Sequence, residues 1–211
     1  MSNYFDERYF RHGKKSNFLH SYEEYEKLTK WKSKIDKVLK YKTKGKILDI
    51  GCAFGYFLKN IGKSFKLHGI DISEYAIGRA KKILPKAKLI CADASESMPF
   101  QKNYFDVVTA FHVIEHVKHP ESIIKNIKKV LKPGGYLFLE APINFWFRKI
   151  IKYFDKDKSH ISILSISEYI KLLEKNGFKI VETERMLDDF RKIKYRFLNP
   201  LGCVIMIVAR K

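Results

Sequence analysis

Acidic residues are in short supply in this sequence. Its 211 residues carry 23 Asp and Glu against 42 Lys and Arg, a formal charge of +19. Such a field draws anionic partners: nucleic acid, an acidic membrane surface or phosphorylated substrates. The basic residues are mostly Lys and spread along the whole chain, so no stripe of charge marks a binding face. A Lys- and Ile-rich composition equally reflects a thermophile or a biased genome. Cysteine is also sparse. Cys52, Cys91 and Cys203 stand alone without a C-x-x-C pair, which excludes a disulfide framework and points to a reducing compartment. Long apolar runs are missing too: the longest uncharged one, Leu201 to Ala209, is too short to span a bilayer and reads as a strand. No secretory signal follows Met1, so a cytoplasmic location is expected. There is no internal repeat and no low-complexity stretch.

What is present suits one α/β domain. Hydrophobic residues make up 45%, with 16 Phe and 12 Tyr for a core and an aromatic-lined pocket. From Tyr22 a helical spacing begins, through Tyr25, Leu28, Trp31, Ile35, Val38 and Leu39, and ends at Lys42–Gly45. Strands and helices then alternate. Strands are predicted at 46–50, 65–70, 88–92, 105–110 and 136–140. Helices are predicted from Tyr56, from an N-capping Ser73 to Ile83, and from Pro120 to Leu131, the last stopped by Pro133-Gly134-Gly135. A helix at 167–176 and strands at 178–183 and 203–208 close the chain. This rhythm predicts a doubly wound, mostly parallel sheet with helices on both faces. Aromatic and basic residues interrupt it at 143–160 (Phe145, Trp146, Phe147, Arg148, Lys149, Tyr153, Phe154).

The most informative stretch is Ile47-Leu48-Asp49-Ile50-Gly51-Cys52-Ala53-Phe54-Gly55, a strand running into a glycine-bearing turn that opens a helix. Open α/β sheets bind ligands at the carboxyl ends of their strands, and a helix start offers free N–H groups. A second acid, Asp71 in Gly69-Ile70-Asp71-Ile72-Ser73, lies 22 residues beyond Asp49. An acid so placed can accept both hydroxyls of a ribose. A third, Asp93 in Cys91-Ala92-Asp93-Ala94, ends the third strand and can accept from an adenine amino group. Each signal alone is weak. Three acids closing three successive strands, with glycines in the first turn, form a pattern.

With these pieces in place, residues 45–142 resemble the class I S-adenosylmethionine-dependent methyltransferases, in the small-molecule group that includes quinone-pathway O-methyltransferases. Further matching segments are Phe105-Asp106-Val107-Val108, Ile114-Glu115-His116-Val117 and Leu131-Lys132-Pro133-Gly134-Gly135. The resemblance implies a seven-stranded, Rossmann-like sheet with an antiparallel last strand, and S-adenosylmethionine as cofactor. It implies an N-terminal helical cap over 1–44 and a methyltransferase domain over 45–211, with 143–160 as lid and acceptor insert. By the same resemblance, Asp49, Gly51, Cys52, Ala53 and Gly55 form the loop under the methionine moiety. Asp71 takes the ribose hydroxyls, Ile72 lies against the adenine, and Asp93 and Ala94 face its edge. Ala110 and Phe111 sit near the methionine end. The family commonly has Gly where this chain has Ala53. Gly51, Ala53 and Tyr56 also break the G-x-G-x-x-G of dinucleotide enzymes, which argues against a nicotinamide cofactor.

On the acceptor side, oxygen nucleophiles need a base. His112, Glu115, His116 and His160 are the candidates. His160 comes first, because similar methyltransferases carry a His there. His112 and His116, four apart with Glu115 between, would share one face of a helical turn. The Glu-His pair is widespread in the superfamily across many acceptors, which favours a structural or cofactor-side role over metal binding. Three functions follow as expectations: methyl transfer to a small molecule at oxygen, methylation of RNA by way of the basic surface, or a non-catalytic methyltransferase-like scaffold on an anionic membrane. The strand-four continuation Thr109-Ala110-Phe111-His112 lacks the Asn-Pro-Pro-Tyr pattern of base amino methylation. No Cys follows Pro or Thr for attack on cytosine.

Overall fold

The central strands owe their place to apolar residues on both sides of the chain, which a period of two sends to opposite faces of a sheet. In the computed structural model, which describes residues 4–12, 21–24, 31–144, 157–186 and 204–211, they form one seven-stranded sheet. Its strands are β1 (Gly45–Ile50), β2 (Phe65–Asp71), β3 (Lys88–Cys91), β4 (Phe105–Phe111), β5 (Leu131–Pro142), β6 (Lys179–Met186) and β7 (Val204–Arg210). The order is β3-β2-β1-β4-β5-β7-β6. The pairs β1–β2, β1–β4, β2–β3 and β4–β5 are parallel. The last strand, β7, slots between β5 and β6 and runs antiparallel to both. The doubly wound, mostly parallel sheet with an antiparallel last strand is therefore as expected.

Helices α1 (Glu7–His12), α2 (Trp31–Tyr41), α3 (Tyr56–Ile61), α4 (Glu74–Ile83), α5 (Pro120–Val130) and α6 (Ile166–Lys175) surround the sheet. Alternation divides the core. Leu48, Val108, Leu137 and Leu139 face one side with Ile123, Ile124 and Ile127 of α5 and Tyr169 and Leu173 of α6. Ile47, Val107 and Phe138 face the other, with Val38 of α2, Leu58 of α3 and Ala80 of α4. Ser73 caps α4 by accepting from the Ala76 N–H. Ser165 and Glu168 make a reciprocal capping box at α6.

The structure departs from the sequence reading at several boundaries. The Pro133-Gly134-Gly135 segment is not a bare stop but part of β5, which begins at Leu131 and carries a register irregularity against β4. A φ of +76° at Gly134 lets the strand turn there. Helix α1, not predicted, forms because Tyr9 and Phe10 bury themselves against Phe54 and Tyr56; local periodicity played no part. Helical backbone is present at 22–24. Tyr25, Leu28, Cys203 and the aromatic-basic residues at 145–154 lie outside the described residues. No helix among the described residues is long and apolar enough to cross a membrane.

Candidate active site

The chain runs outward from β1 to β2 and β3, then returns across the sheet to β4, which opens a crevice at the carboxyl ends of β1 and β4. Asp49, Asp71 and Asp93 all lie at this rim, on or just beyond three adjacent strands. At the bend, Gly51 has φ +67° and donates to the Ile70 carbonyl at 2.8 Å. A Cβ on Gly51 would meet Val113 Cγ2 at 2.5 Å, so the glycine is demanded by the protein's own packing. Ala53 has φ 45°, a left-handed conformation that disfavours any side chain. Its N–H donates to Asp71 Oδ2 at 2.8 Å, while the Ser73 N–H donates to Asp71 Oδ1 at 2.8 Å. The Asp71 carboxylate thus ties the ends of β1 and β2 together. Gly55 stands at the N-terminus of α3 with φ +78°.

Asp49 accepts from the Thr109 hydroxyl at 2.7 Å. Burial lifts its pKa to about 7, with the Thr109 bond and Lys34 pulling down and Asp71 pushing up. Burial also raises Asp71, against three backbone N–H donors. Asp93 accepts from the Ser95 N–H at 2.8 Å and hydroxyl at 2.6 Å. Ala94, buried, has its carbonyl held by Asn126 at 3.0 Å. Ile72 remains partly exposed beside Asp71. Cys52 lies in the bend, but its side chain does not line it. The sulfur packs down against Gly69, where an added Cβ would meet it at 2.7 Å, and burial pushes its thiol up.

Beyond β4 the arrangement differs from the expected helical face. His112 has φ 55° and precedes the 3-10 turn at Ile114–His116, so it and His116 point to different partners. His112 Nε2 lies 2.9 Å from Glu140 Oε1, and its Nδ1 lies 3.3 Å from Glu115 Oε1. Lys34 Nζ of α2 reaches Glu140 Oε1 at 2.6 Å and sits 4.9 Å over the Phe111 ring. Lys34, Glu140, His112 and Glu115 thus alternate in sign along one chain of contacts. Burial works against the His112 charge, but Glu115 and Glu140 outweigh it and hold its pKa well above 6.5. Glu140 falls to about 2 because Lys34 and His112 overcome its burial. Ala110 is buried in the β4 core, and Phe111 faces α2 rather than lying beside Ala110.

His116 turns the other way. Its Nδ1 lies 2.7 Å from Ser159 Oγ, and its ring centre is 4.9 Å from that of His160 and 5.5 Å from that of Phe5. Burial depresses its pKa. Ser159 Oγ donates to Asp157 Oδ1. Asp157 in turn accepts from Tyr9 at 2.9 Å and Tyr4 at 3.2 Å. Ser73 Oγ donates to the Phe5 carbonyl. The N-terminal segment therefore reaches over the rim, tied to both the Asp71 loop and the 157–160 loop.

A family model described as a methyltransferase domain matches residues 22–183. The chain belongs to the class I S-adenosylmethionine-dependent methyltransferases. The 2-methyl-6-phytyl-1,4-hydroquinone methyltransferase of Synechocystis is 29% identical over 145 residues, 62% of this chain and 45% of that protein. The ubiquinone biosynthesis O-methyltransferase of Dechloromonas aromatica is 33% identical over 104 residues, 46% of this chain and 44% of the relative. The chain thus spans under half the length of these curated relatives. A solved methyltransferase from Thermotoga maritima shares the fold with a TM-score of 0.69 at 21% identity, covering 90% of this chain and 94% of its own.

This methyltransferase's rim suits the family's cofactor on its own chemistry. Two buried carboxylates of raised proton affinity, Asp49 and Asp71, favour a ligand that brings positive charge and hydroxyl donors, as a sulfonium with an ammonium group and a ribose does. Sequence reasoning missed Glu140, Lys34, Thr109, Asp157 and Ser159. Glu140 had a visible signal, because a single acid ends the apolar run Leu137-Phe138-Leu139. Lys34 had none, being one lysine among many on its helix.

Proposed function

We propose that this methyltransferase moves the methyl group of S-adenosylmethionine to an oxygen of a small, phenol-type acceptor. The observation that carries the reading is the cluster of Glu115, His116 and His160, with ligand-type atoms within 4.8 Å of one another, beside the end of β4. Bound S-adenosylmethionine supplies an activated methyl group on its sulfonium sulfur. Asp71 orients the ribose through its remaining lone pairs, Asp49 faces the ammonium group, and Asp93 with Ala94 and Ile72 holds the adenine. Gly51, Ala53 and Gly55 shape the bend beneath the methionine chain, and Ala110 lies toward its far end, while Phe111 packs against α2. The acceptor hydroxyl enters at the histidine cluster, which takes up its proton as the carbon–oxygen bond forms and the carbon–sulfur bond breaks. Phe5, Tyr4 and Tyr9 wall this side with aromatic rings, which suits a ring-bearing acceptor and keeps water out. The names of the two curated relatives, a hydroquinone and a ubiquinone-pathway methyltransferase, support that acceptor class.

Two measurements test the reading. Calorimetry with S-adenosylmethionine should show binding by the parent protein and at least tenfold weaker binding by Asp71→Ala; no binding by the parent defeats the cofactor assignment. A tritiated-methyl assay on fractionated cell extract should label the small-molecule fraction. Label confined to RNA would instead assign the basic surface to a nucleic-acid acceptor, and label confined to membrane lipid would point to a bilayer-bound one.

A further inference from the structure

We propose that Glu115, His116 and His160 form a binding site for a divalent transition-metal ion, of the zinc or cobalt class, that receives the acceptor oxygen. The inference deepens the proposed function and rests on the acceptor entering at this cluster. It departs from the expectation drawn from sequence, which placed no metal here.

Four observations converge. First, a carboxylate oxygen of Glu115 and ring nitrogens of His116 and His160 lie within 4.8 Å of one another. Ligand atoms about 2.1 Å from zinc stand closer together than this, so a bound ion would draw the three side chains inward. Second, Glu115 is fully buried, and its Oε2 has no hydrogen-bond partner among the described residues. A buried carboxylate oxygen left unsatisfied is costly and calls for an ion or a donor. Third, the tautomer of His116 is set. Ser159 has one hydroxyl proton and gives it to Asp157, so Ser159 Oγ accepts from His116 Nδ1–H at 2.7 Å. The lone pair therefore sits on Nε2, the arrangement by which metal-binding histidines are usually oriented from behind. Likewise, the other Glu115 oxygen is held by His112. Fourth, the backbone fixes the two halves of the cluster. Ile161 N–H and Ser162 N–H both donate to the Glu115 carbonyl at 2.9 Å, which brings the His160 loop against the 3-10 turn.

Two imidazoles and one carboxylate leave coordination positions open for an acceptor hydroxyl, whose proton affinity the ion lowers. With their lone pairs on the ion, the two histidines no longer take up the proton themselves; it leaves to solvent as the oxygen attacks the methyl carbon and the carbon–sulfur bond breaks. Imidazole donors favour zinc or cobalt over magnesium and manganese, which prefer oxygen ligands.

The test uses the full chain stripped of metal with a chelator and titrated with Co²⁺, Zn²⁺, Mn²⁺ and Mg²⁺, read by visible absorption for Co²⁺ and calorimetry for the others. One equivalent of Co²⁺ should bind with d–d bands, and Mg²⁺ and Mn²⁺ should bind far more weakly. His160→Asn should remove the bands. Ser159→Ala should weaken binding by about 10–100-fold. His119→Asn and Cys91→Ser, at exposed positions, should change nothing. Glu115 is buried and its substitution can unfold the chain, so His160→Asn on its loop is the deciding variant. Absence of stoichiometric binding by the parent overturns the proposal, as does binding that survives His160→Asn. S-adenosylmethionine calorimetry on the same samples keeps failure of the metal site distinct from failure of the cofactor assignment.

Discussion

Replacing Asp49 with Asn should make the ligand-free protein more stable while it loses cofactor. Asp49 is only 4% exposed, and its pKa stands at about 7 against 3.8. With about 1.4 kcal/mol per tenfold change in proton affinity, the ionised side chain opposes folding by about 4 kcal/mol once the pH exceeds 7. The penalty is absent below the unfolded value, grows as pH rises from 3.8 to about 7, and stays constant above. Asn keeps the shape and can still accept from Thr109, but a neutral acceptor makes the weaker hydrogen bond, a loss of about 1–2 kcal/mol. The net gain at pH 8 is then about 2 kcal/mol, or about 4–8 °C in Tm for a chain of this size. Near pH 4 the gain should vanish and turn into a small loss. Calorimetric melts of both proteins across this range, with S-adenosylmethionine titrations at pH 8, provide the check. A Tm difference that ignores pH, or an Asn variant less stable at pH 8, would refute the argument that this carboxylate is held ready for a cationic ligand.

The other chain of buried charges should behave in the opposite sense. Lys34→Met leaves Glu140 facing His112 alone and should destabilise the fold by about 3 kcal/mol, the lower end for a broken buried pair because His112 remains at 2.9 Å; a urea titration measures it. Glu140 is depressed from 4.5 to about 2, so its contribution is complete above 4.5 and should disappear as pH falls toward 2, seen as acid unfolding that Glu140→Gln shifts. In the cofactor bend, Gly51→Ala should lower Tm sharply, since the added Cβ falls 2.5 Å from Val113 Cγ2, and Val113→Ala should restore part of the loss. Ala53→Gly, relieving φ 45°, should stabilise by about 1 kcal/mol, read in the same melts.

The acids of the cofactor rim were legible because each ends an apolar run, and strand ends in a parallel sheet all open on one side. The family's frequent Gly at position 53 gains a physical reason from the backbone, which bends there into the left-handed region. His112 and His116 misled the helical reading because a four-residue spacing shows one face only if the chain is helical between them, and the positive φ at His112 breaks that condition. Helix α1 escaped notice because six residues cannot hold a helix without tertiary contacts.

From sequence alone come the alternating strands, the capped helices and the three carboxylates at their ends, all of which depend on residues close together in the chain and on the handedness of parallel crossovers. Tertiary structure alone decided which lysine neutralises Glu140, which serine orients His116, and that Glu115, His116 and His160 meet. Lys34 and Glu140 stand 106 positions apart and His116 and Ser159 43 apart, and no local pattern encodes a contact that exists only once separate elements have packed and water has been driven from between them.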